Sequence, residues 1–384
     1  MPWRETSPVD ERIRFVLLVR QGFSTVSEAC RRFGVSRKTG YKWLRVSEGG
    51  LSRLHNRSRR PHRSPGRIAS AIEDRIVSLR QEHGWAGRKL SHLLERDEGI
   101  LVSPATVDRV IQRQGLVREW RGKGASSRFE RAHPNELWQM DHKGPYTLRD
   151  GRCVPLSVLD DHSRFAVGLS PLSSTSLVET EASLRACFER YGVPRAMLMD
   201  HGSPWWSTTN SLGLTQLSVS LIEQGITLLH GAIRHPQTQG KVERFHRTLD
   251  RSIRNWGLPK TRREMPAILE RFREEYNEIR PHEALGMAVP SSRYEPSSRP
   301  YQRKPRAWEY PTGAEVLRLN SAGCLDLSTE RYFVCEALAG KNVWCQRFGS
   351  RILVTYRHMR IREIDRVTGR TTSVVQPATR GDEA

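Results

Sequence analysis

The chain is poor in the features that would make it a secreted, membrane-embedded or nucleotide-driven protein. Its six cysteines, Cys30, Cys153, Cys187, Cys324, Cys335 and Cys345, are scattered and form no C-x-x-C pair. That excludes a disulfide frame and the usual zinc modules, and it reads as reduced, mostly buried thiols in a cytosol. No apolar run approaches the length of a membrane span, and no signal-peptide core follows Met1, so no membrane association is expected. There is no G-x-x-x-x-G-K loop to cradle a triphosphate and no G-x-S-x-G elbow to raise a serine nucleophile. Gly122 and Gly124 follow no strand pattern and belong to a linker. Acidic residues are also in short supply: 42 Asp and Glu face 63 Lys and Arg, for a net charge of +21.

What is present is length, basic charge and three carboxylates in telling places. At 384 residues the chain can build two or three domains with separate cores. Residues 1–128 hold 27 Lys and Arg against 13 Asp and Glu, so most of the positive excess lies in the first third. A polyanion partner follows, because each neutralised phosphate releases condensed counterions.

The segment HPQTQGKVERFHRTLD, His235 to Asp250, carries the most information. A Gly-terminated loop leads into a helix with Glu243 in its first turn. At about 100° per residue, Val242, Phe245, Leu249 and Ile253 share one arc, and Glu243, Arg247, Arg251 and Arg254 share the opposite one. A carboxylate fixed beside cations suits a place where metal and phosphate meet. Taken alone, an ordinary amphipathic helix with solvated charges reads the same way. Two further carboxylates decide its weight. Asp141 lies in ELWQMDHKG, whose alternation of Trp138 and Met140 with Gln139 and Asp141 is a strand pattern. Asp200 closes the apolar run AMLMD after a helical stretch from Ser176 to Tyr191, at the strand end where open α/β sheets place ligands. Taken alone, such an Asp serves equally as a turn or cap residue. Two strand-borne Asp residues and one helix-borne Glu can share a site for two hard cations, for which Mg²⁺ is apt because it prefers carboxylate oxygens.

In order along the chain, WQMDHKG, LSVLDDHSRFAVG, LMDHGSPW and HPQTQGKVERFHRTL resemble the catalytic core of insertion-sequence transposases related to retroviral integrases, the DDE recombinases. YNEIRPHEAL, with Pro290 and Arg293 after it, resembles the segment closing the same core. The resemblance covers residues 133–300 and implies a ribonuclease-H-like α/β fold. It also implies that Asp141, Asp200 and Glu243 are catalytic residues and the ligands of two Mg²⁺ ions, with Mn²⁺ as substitute. Two features depart from many members. His201 stands where Asn is common, and 42 residues separate Asp200 from Glu243, with extra sequence around WWSTTNSLG. Asp160 and Asp161 in LDDHSRF read as a strand-end turn with Arg164 as ion-pair partner, or as an added carboxylate. Lys241 and Arg247 read as groups that hold DNA near the metals, or as solvated helix charges.

Nothing matches the His/Cys zinc module that opens retroviral integrases, and two all-α helix-turn-helix units stand in its place. In residues 1–50, a helix from Glu11 to Arg20 and one from Thr25 to Phe33 precede Gly34, and Ser36 caps SRKTGYKWL. A basic second helix suits the major groove: Arg37, Lys38, Thr39 and Lys42 are the expected DNA-facing positions, with Tyr41 and Leu44 holding the helix to its domain. Gly40 points to a close backbone approach. A helical dimerisation module is the alternative. Residues 68–117 repeat the form, with Ser103-Pro104 opening a helix to Gln114, and with Thr106, Arg109 and Arg113 facing DNA or the unit serving a purely architectural role. A basic linker (51–67) and a second linker (118–132) separate these parts. Residues 311–370 carry short β-type runs and are expected to form a small β-barrel-like module or sandwich. Residues 371–384 are expected to be an unstructured tail.

The expected whole is a multidomain DNA transposase, cytoplasmic and nucleoid-associated. Its partners would be double-stranded DNA, as element terminal repeats and target, and further copies of itself, since recombination joins two ends. The competing readings are a catalytically inactive DNA-binding relative and a metal-dependent nuclease without strand transfer.

Overall fold

The computed structural model describes residues 7–56, 67–117, 130–207, 213–230, 240–328 and 330–378. The chain divides into two compact units, Met1–Ala69 and Ser70–Ala384.

The first unit holds α1 (Pro8–Arg20), α2 (Val26–Arg32) and α3 (Arg37–Ser47). Each helix starts where the sequence supplies a cap. Ser7 with Asp10 and Thr25 with Glu28 form capping boxes, and Ser36 Oγ accepts the Thr39 N–H. Phe15, Val16, Ala29, Cys30 and Leu54 make the core. Gly40 is required by the packing: a Cβ there would sit 2.6 Å from Cys30 Sγ and 2.9 Å from Phe15 Cζ. The close approach is therefore between helices of this unit. Two expectations are corrected. Tyr41 is 58% exposed, because the packed face of α3 runs through Gly40, Trp43, Leu44 and Ser47. Leu51–Leu54 form a 3₁₀ turn that buries Leu54 completely, so the globular unit extends past the expected linker boundary. Residues 57–66 of that linker lie outside the described residues, as do 118–129 of the next.

The second unit opens with α4 (Ser70–His83), α5 (Gly87–Glu98) and α6 (Pro104–Arg113) around Ile76, Leu79, Leu90, Leu94, Val107 and Val110. Ser103 caps α6 and Pro104 occupies its first turn. Asn255 Nδ2 donates to the Gln81 and Glu82 carbonyls at 2.9 Å each, Lys89 Nζ donates to the Pro281 carbonyl, and Arg96 Nη1 donates to Ile279 O at 3.2 Å. These bonds dock the helical module on the core that follows.

That core is a sheet of β1 (Leu137–His142), β2 (Tyr146–Leu148), β3 (Gly151–Asp160), β4 (Ala166–Leu172), β5 (Ala196–Met199) and β6 (Thr227–His230). Its order is β2-β3-β1-β5-β6, with β4 on β3. β1 runs antiparallel to β3 and parallel to β5. Trp138 and Met140 face the cluster shared with α7 (Leu177–Tyr191) and α8 (Gln216–Glu223). The alternate positions, Gln139 and Asp141, face the opposite side. There, α9 (Gly240–Trp256) and α10 (Met265–Glu274) pack on Leu159, Ala166 and Leu169. Val242, Phe245, Leu249 and Ile253 are at most 1% exposed, as the apolar arc of α9 requires. Asn277 closes the core by bonding both backbone groups of Ala166, at 2.8 and 3.1 Å.

The C-terminal part is an antiparallel sheet of β7 (Val316–Arg318), β10 (Asn342–Phe348), β11 (Arg351–Tyr356), β12 (Met359–Asp365) and β13 (Thr371–Pro377), faced by the hairpin β8 (Cys324–Leu327) and β9 (Glu330–Phe333). The small β module is as expected. Its last strand corrects the tail boundary: Thr371–Pro377 pair with β12, because β-branched Thr371, Thr372, Val374 and Val375 suit an edge strand. All six cysteines are free and buried. Among the described residues, no helix is long and apolar enough to cross a membrane.

Candidate active site

β1 and β5 are parallel neighbours, so their carboxyl ends share one edge of the sheet. Asp141 is the penultimate residue of β1, and Asp200 directly follows β5. Glu243 is in the first turn of α9, whose apolar stripe seats the helix against this sheet. Burial, and after it the negative charges of Asp200 and Glu243, push the Asp141 carboxyl up to about 7. Asp141 thus lies within electrostatic reach of both other carboxylates, although among the described residues no three His, Cys, Asp or Glu side chains gather closely enough to hold a metal ion.

Each carboxylate has its own support. Asp200 Oδ1 accepts the Gly202 N–H at 2.9 Å and the Trp205 indole N–H at 2.7 Å. Trp205 is 1% exposed and stacks on His142 with centroids 4.7 Å apart, so a core aromatic fixes this aspartate. His201 meets the Trp206 ring edge-on at 4.6 Å and lies 5.3 Å from His230. The residue that departs from the common pattern is therefore part of an aromatic cluster. Glu243 is exposed and has no ion pair among the described residues. Segments 208–212 and 231–239, including the HPQTQ loop, lie outside the described residues.

Sequence reasoning missed the groups that tie α9 to the sheet. His246 Nδ1 lies 3.8 Å from Asp141 Oδ2, and its Nε2 lies 2.9 Å from Ser157 Oγ. Ser157 is the cross-strand partner of Asp141. Burial holds the imidazole down to about 4, so it stands neutral beside the carboxylate near pH 7. One turn on, Asp250 accepts from Tyr146 Oη at 2.7 Å and pairs with Lys143 at 3.0 Å. The visible signal was spacing: His246 and Asp250 follow Glu243 at three and seven residues, flanking its stripe.

The basic candidates divide into two groups. Arg37, Lys38 and Lys42 are exposed on α3, with Thr39 half-buried beside the Ser36 cap. Arg109 is exposed on α6 and donates to the half-buried Thr106 Oγ1 at 3.4 Å, and Arg247 is exposed on α9. Arg113 instead pairs with the buried Glu73 at 3.1 Å. Lys241 turns inward and pairs with Asp161. Asp160 and Asp161 form the strand-end turn expected of LDDHSRF. The salt bridge of Arg164 is with Glu130, at 3.3 Å; burial raises the Asp161 carboxyl, and the Arg131 N–H and the Arg164 charge oppose that rise.

Asp141, Asp200 and Glu243 offer only carboxylate oxygens, the donor type that hard divalent ions prefer.

Comparison with known proteins places these elements in context. Residues 131–236 and 224–290 match family descriptions of an integrase core domain. Residues 11–62 match a helix-turn-helix domain, and residues 39–111 match a homeodomain-like domain. An uncharacterized 31.7 kDa protein of insertion element IS407 from Burkholderia multivorans is 28% identical over 257 residues, 63% of this chain and 86% of that protein. A 39.2 kDa protein of insertion element IS476 from Xanthomonas euvesicatoria is 26% identical, over 64% of this chain and 72% of that protein. Among solved structures, a chain of a simian T-cell lymphotropic virus intasome aligns over 79% of this chain and 98% of its own, at 12% identity and a TM-score of 0.40.

Proposed function

We propose, from the premise that this chain belongs to the insertion-sequence transposases of the DDE/integrase superfamily, that it binds the ends of a mobile DNA element and cuts and joins them at Asp141, Asp200 and Glu243. The observation that carries this reading is the placement of Asp141 and Asp200 at the carboxyl ends of the parallel neighbours β1 and β5, with Glu243 near enough that its charge, after burial and the charge of Asp200, helps push the Asp141 carboxyl up to about 7.

Asp141, Asp200 and Glu243 would hold two divalent ions, Mg²⁺ with Mn²⁺ as substitute. When bound, such ions lower the pKa of an attacking water, or orient a 3′-hydroxyl, and stabilise the leaving 3′ oxygen. The remaining work falls to the protein. Trp205 and the Gly202 N–H engage one oxygen of Asp200. His246 stands between Asp141 and Ser157 as a neutral spacer. Arg247 on α9 holds a phosphate of the strand being cut, and Arg37, Lys38, Thr39 and Lys42 grip the end sequence. Thr106 and Arg109 make a second grip through a module docked on the core. Arg113 and Lys241 pair inward, with Glu73 and Asp161, and serve the fold of these elements rather than the grip on DNA. Because two ends must be joined, two or more copies of the chain assemble on DNA.

Labelled end-sequence duplexes incubated with the protein and Mg²⁺ or Mn²⁺ test the proposal. Strand-transfer products are expected. Nicking alone would make the protein a nuclease, and a gel shift without cleavage would make it a DNA-binding relative that has lost its chemistry.

A further inference from the structure

Asp161 has no exposed surface, yet it is ion-paired. Its Oδ2 accepts the Arg131 N–H at 2.8 Å. Its Oδ1 accepts both from Gln139 Nε2, at 2.6 Å, and from the Lys241 ammonium. Lys241 also donates to the Asp161 backbone carbonyl at 3.1 Å, and the Asp161 N–H donates to Leu137 O at 2.9 Å. Gln139 is two residues before Asp141 on the same face of β1, and Lys241 is two residues before Glu243 in the first turn of α9. One buried oxygen therefore ties together the two elements that carry two of the three carboxylates.

An internal ion pair is a poor way to gain stability, since desolvating both charges offsets their attraction and apolar replacements are often as stable. What it supplies is direction. The apolar stripe of α9 holds the helix on the sheet through non-directional contacts, which resist lifting more than sliding or rotation about the helix axis. A lysine bonded to a fixed carboxylate and to the carbonyl of the same residue removes that freedom at the end of α9 nearest Glu243. The partner that fixes the carboxylate, Gln139, belongs to the strand of Asp141.

We propose that Asp161 is a positioning residue that sets the separation of Asp141 and Glu243, and with it the geometry in which they take up a divalent ion. This rests on the reading of those carboxylates as metal ligands given above. Asp161 is sealed from solvent and reaches the two carboxylates through Gln139 and Lys241. Partners that orient metal ligands typically change ion affinity or activity by roughly 10–100-fold when removed.

Asp161→Asn tests this with little change of volume: the amide oxygen can still accept from Gln139, the bond from the Arg131 N–H is given up, and the ammonium loses its counter-charge. Lys241→Met breaks the tie from the helix side. The double variant removes both members of the ion pair together and should keep its fold, as unfolding curves would show. Calorimetric titration of the full chain with Mn²⁺ should give an affinity roughly 10–100-fold weaker in the double variant than in the wild type. The Mg²⁺ half-saturation of end cleavage should rise in step, while the Kd for the end duplex stays the same and Mn²⁺ restores part of the rate. The single variants should show the same signature, and their effects should not add, since either one breaks the same tie. A folded double variant that binds Mn²⁺ like the wild type, at an unshifted Mg²⁺ half-saturation, overturns the positioning role alone. A wild-type chain that takes up no Mn²⁺ overturns the carboxylate reading and this proposal together.

Discussion

His246 Nδ1 stands 3.8 Å from Asp141 Oδ2, with its Nε2 2.9 Å from the Ser157 hydroxyl. A neutral ring thus touches both the raised Asp141 carboxyl and the hydroxyl of its cross-strand neighbour. His246→Ala should lower the cleavage rate about 10-fold or more without weakening end binding. His246→Gln, whose amide can still reach Ser157, should restore most of the rate. Separate measurement of kcat and KM checks this. Equal rates for the Ala and Gln variants would remove the spacer role.

Lys89 gives a pH dependence with a definite sign. Burial, together with the charge of Arg280, pushes its ammonium down to about 7. Between about pH 7 and 10.5 the unfolded chain then holds a proton that the folded chain lacks, so stability rises with pH through that window. Below pH 7 both states are charged and the full penalty is present. Lys89→Met should remove this slope, which is at most about 1.4 kcal/mol per pH unit for one group. Urea unfolding of both proteins at pH 7 and pH 9.5 reads the difference.

Gly40→Ala sets helix propensity against packing. The gain in propensity is about 1 kcal/mol. The added Cβ would lie 2.6 Å from Cys30 Sγ and 2.9 Å from Phe15 Cζ, and overpacking costs about 1–3 kcal/mol. The first unit should therefore lose stability in thermal unfolding. A higher melting temperature would show that α3 can move outward freely.

Arg37 and Lys38 are exposed on α3. Replacing both with Gln should weaken binding to the ends and reduce the slope of log K against log salt by about 1 for each phosphate no longer neutralised. An unchanged slope would mean that another element neutralises the phosphates.

The parts of this fold that were legible in the sequence are those written in local periodicity. The strand alternation around Asp141, the apolar arc of α9 and the Ser36 and Ser103 caps all stand where the pattern put them. The misses have physical reasons. Gly40 has no side chain and so leaves no mark in an apolar pattern, yet it centres the packed face of α3, which turns Tyr41 outward. Lys241 reads as a surface cation because its partner, Asp161, lies 80 residues away. Thr371–Pro377 looks polar in isolation, and pairing with β12 makes it a strand. For the proposed site, the strand and helix patterns offered three carboxylates as candidates, and the family resemblance named them as a set. Their supports, Trp205, His246 and Asp161, depend on contacts across the sheet that no local pattern carries.

The most direct test of the central claim is a strand-transfer assay with a parallel binding assay, run on the wild type and on the Asp141→Asn, Asp200→Asn and Glu243→Gln variants. The account predicts that each variant binds the end duplex within about 2-fold of wild type and forms no joined product, a loss of at least about 10³-fold and hence more than about 4 kcal/mol of transition-state stabilisation. Joined product from any one of the three, at a rate near that of the wild type, would contradict it.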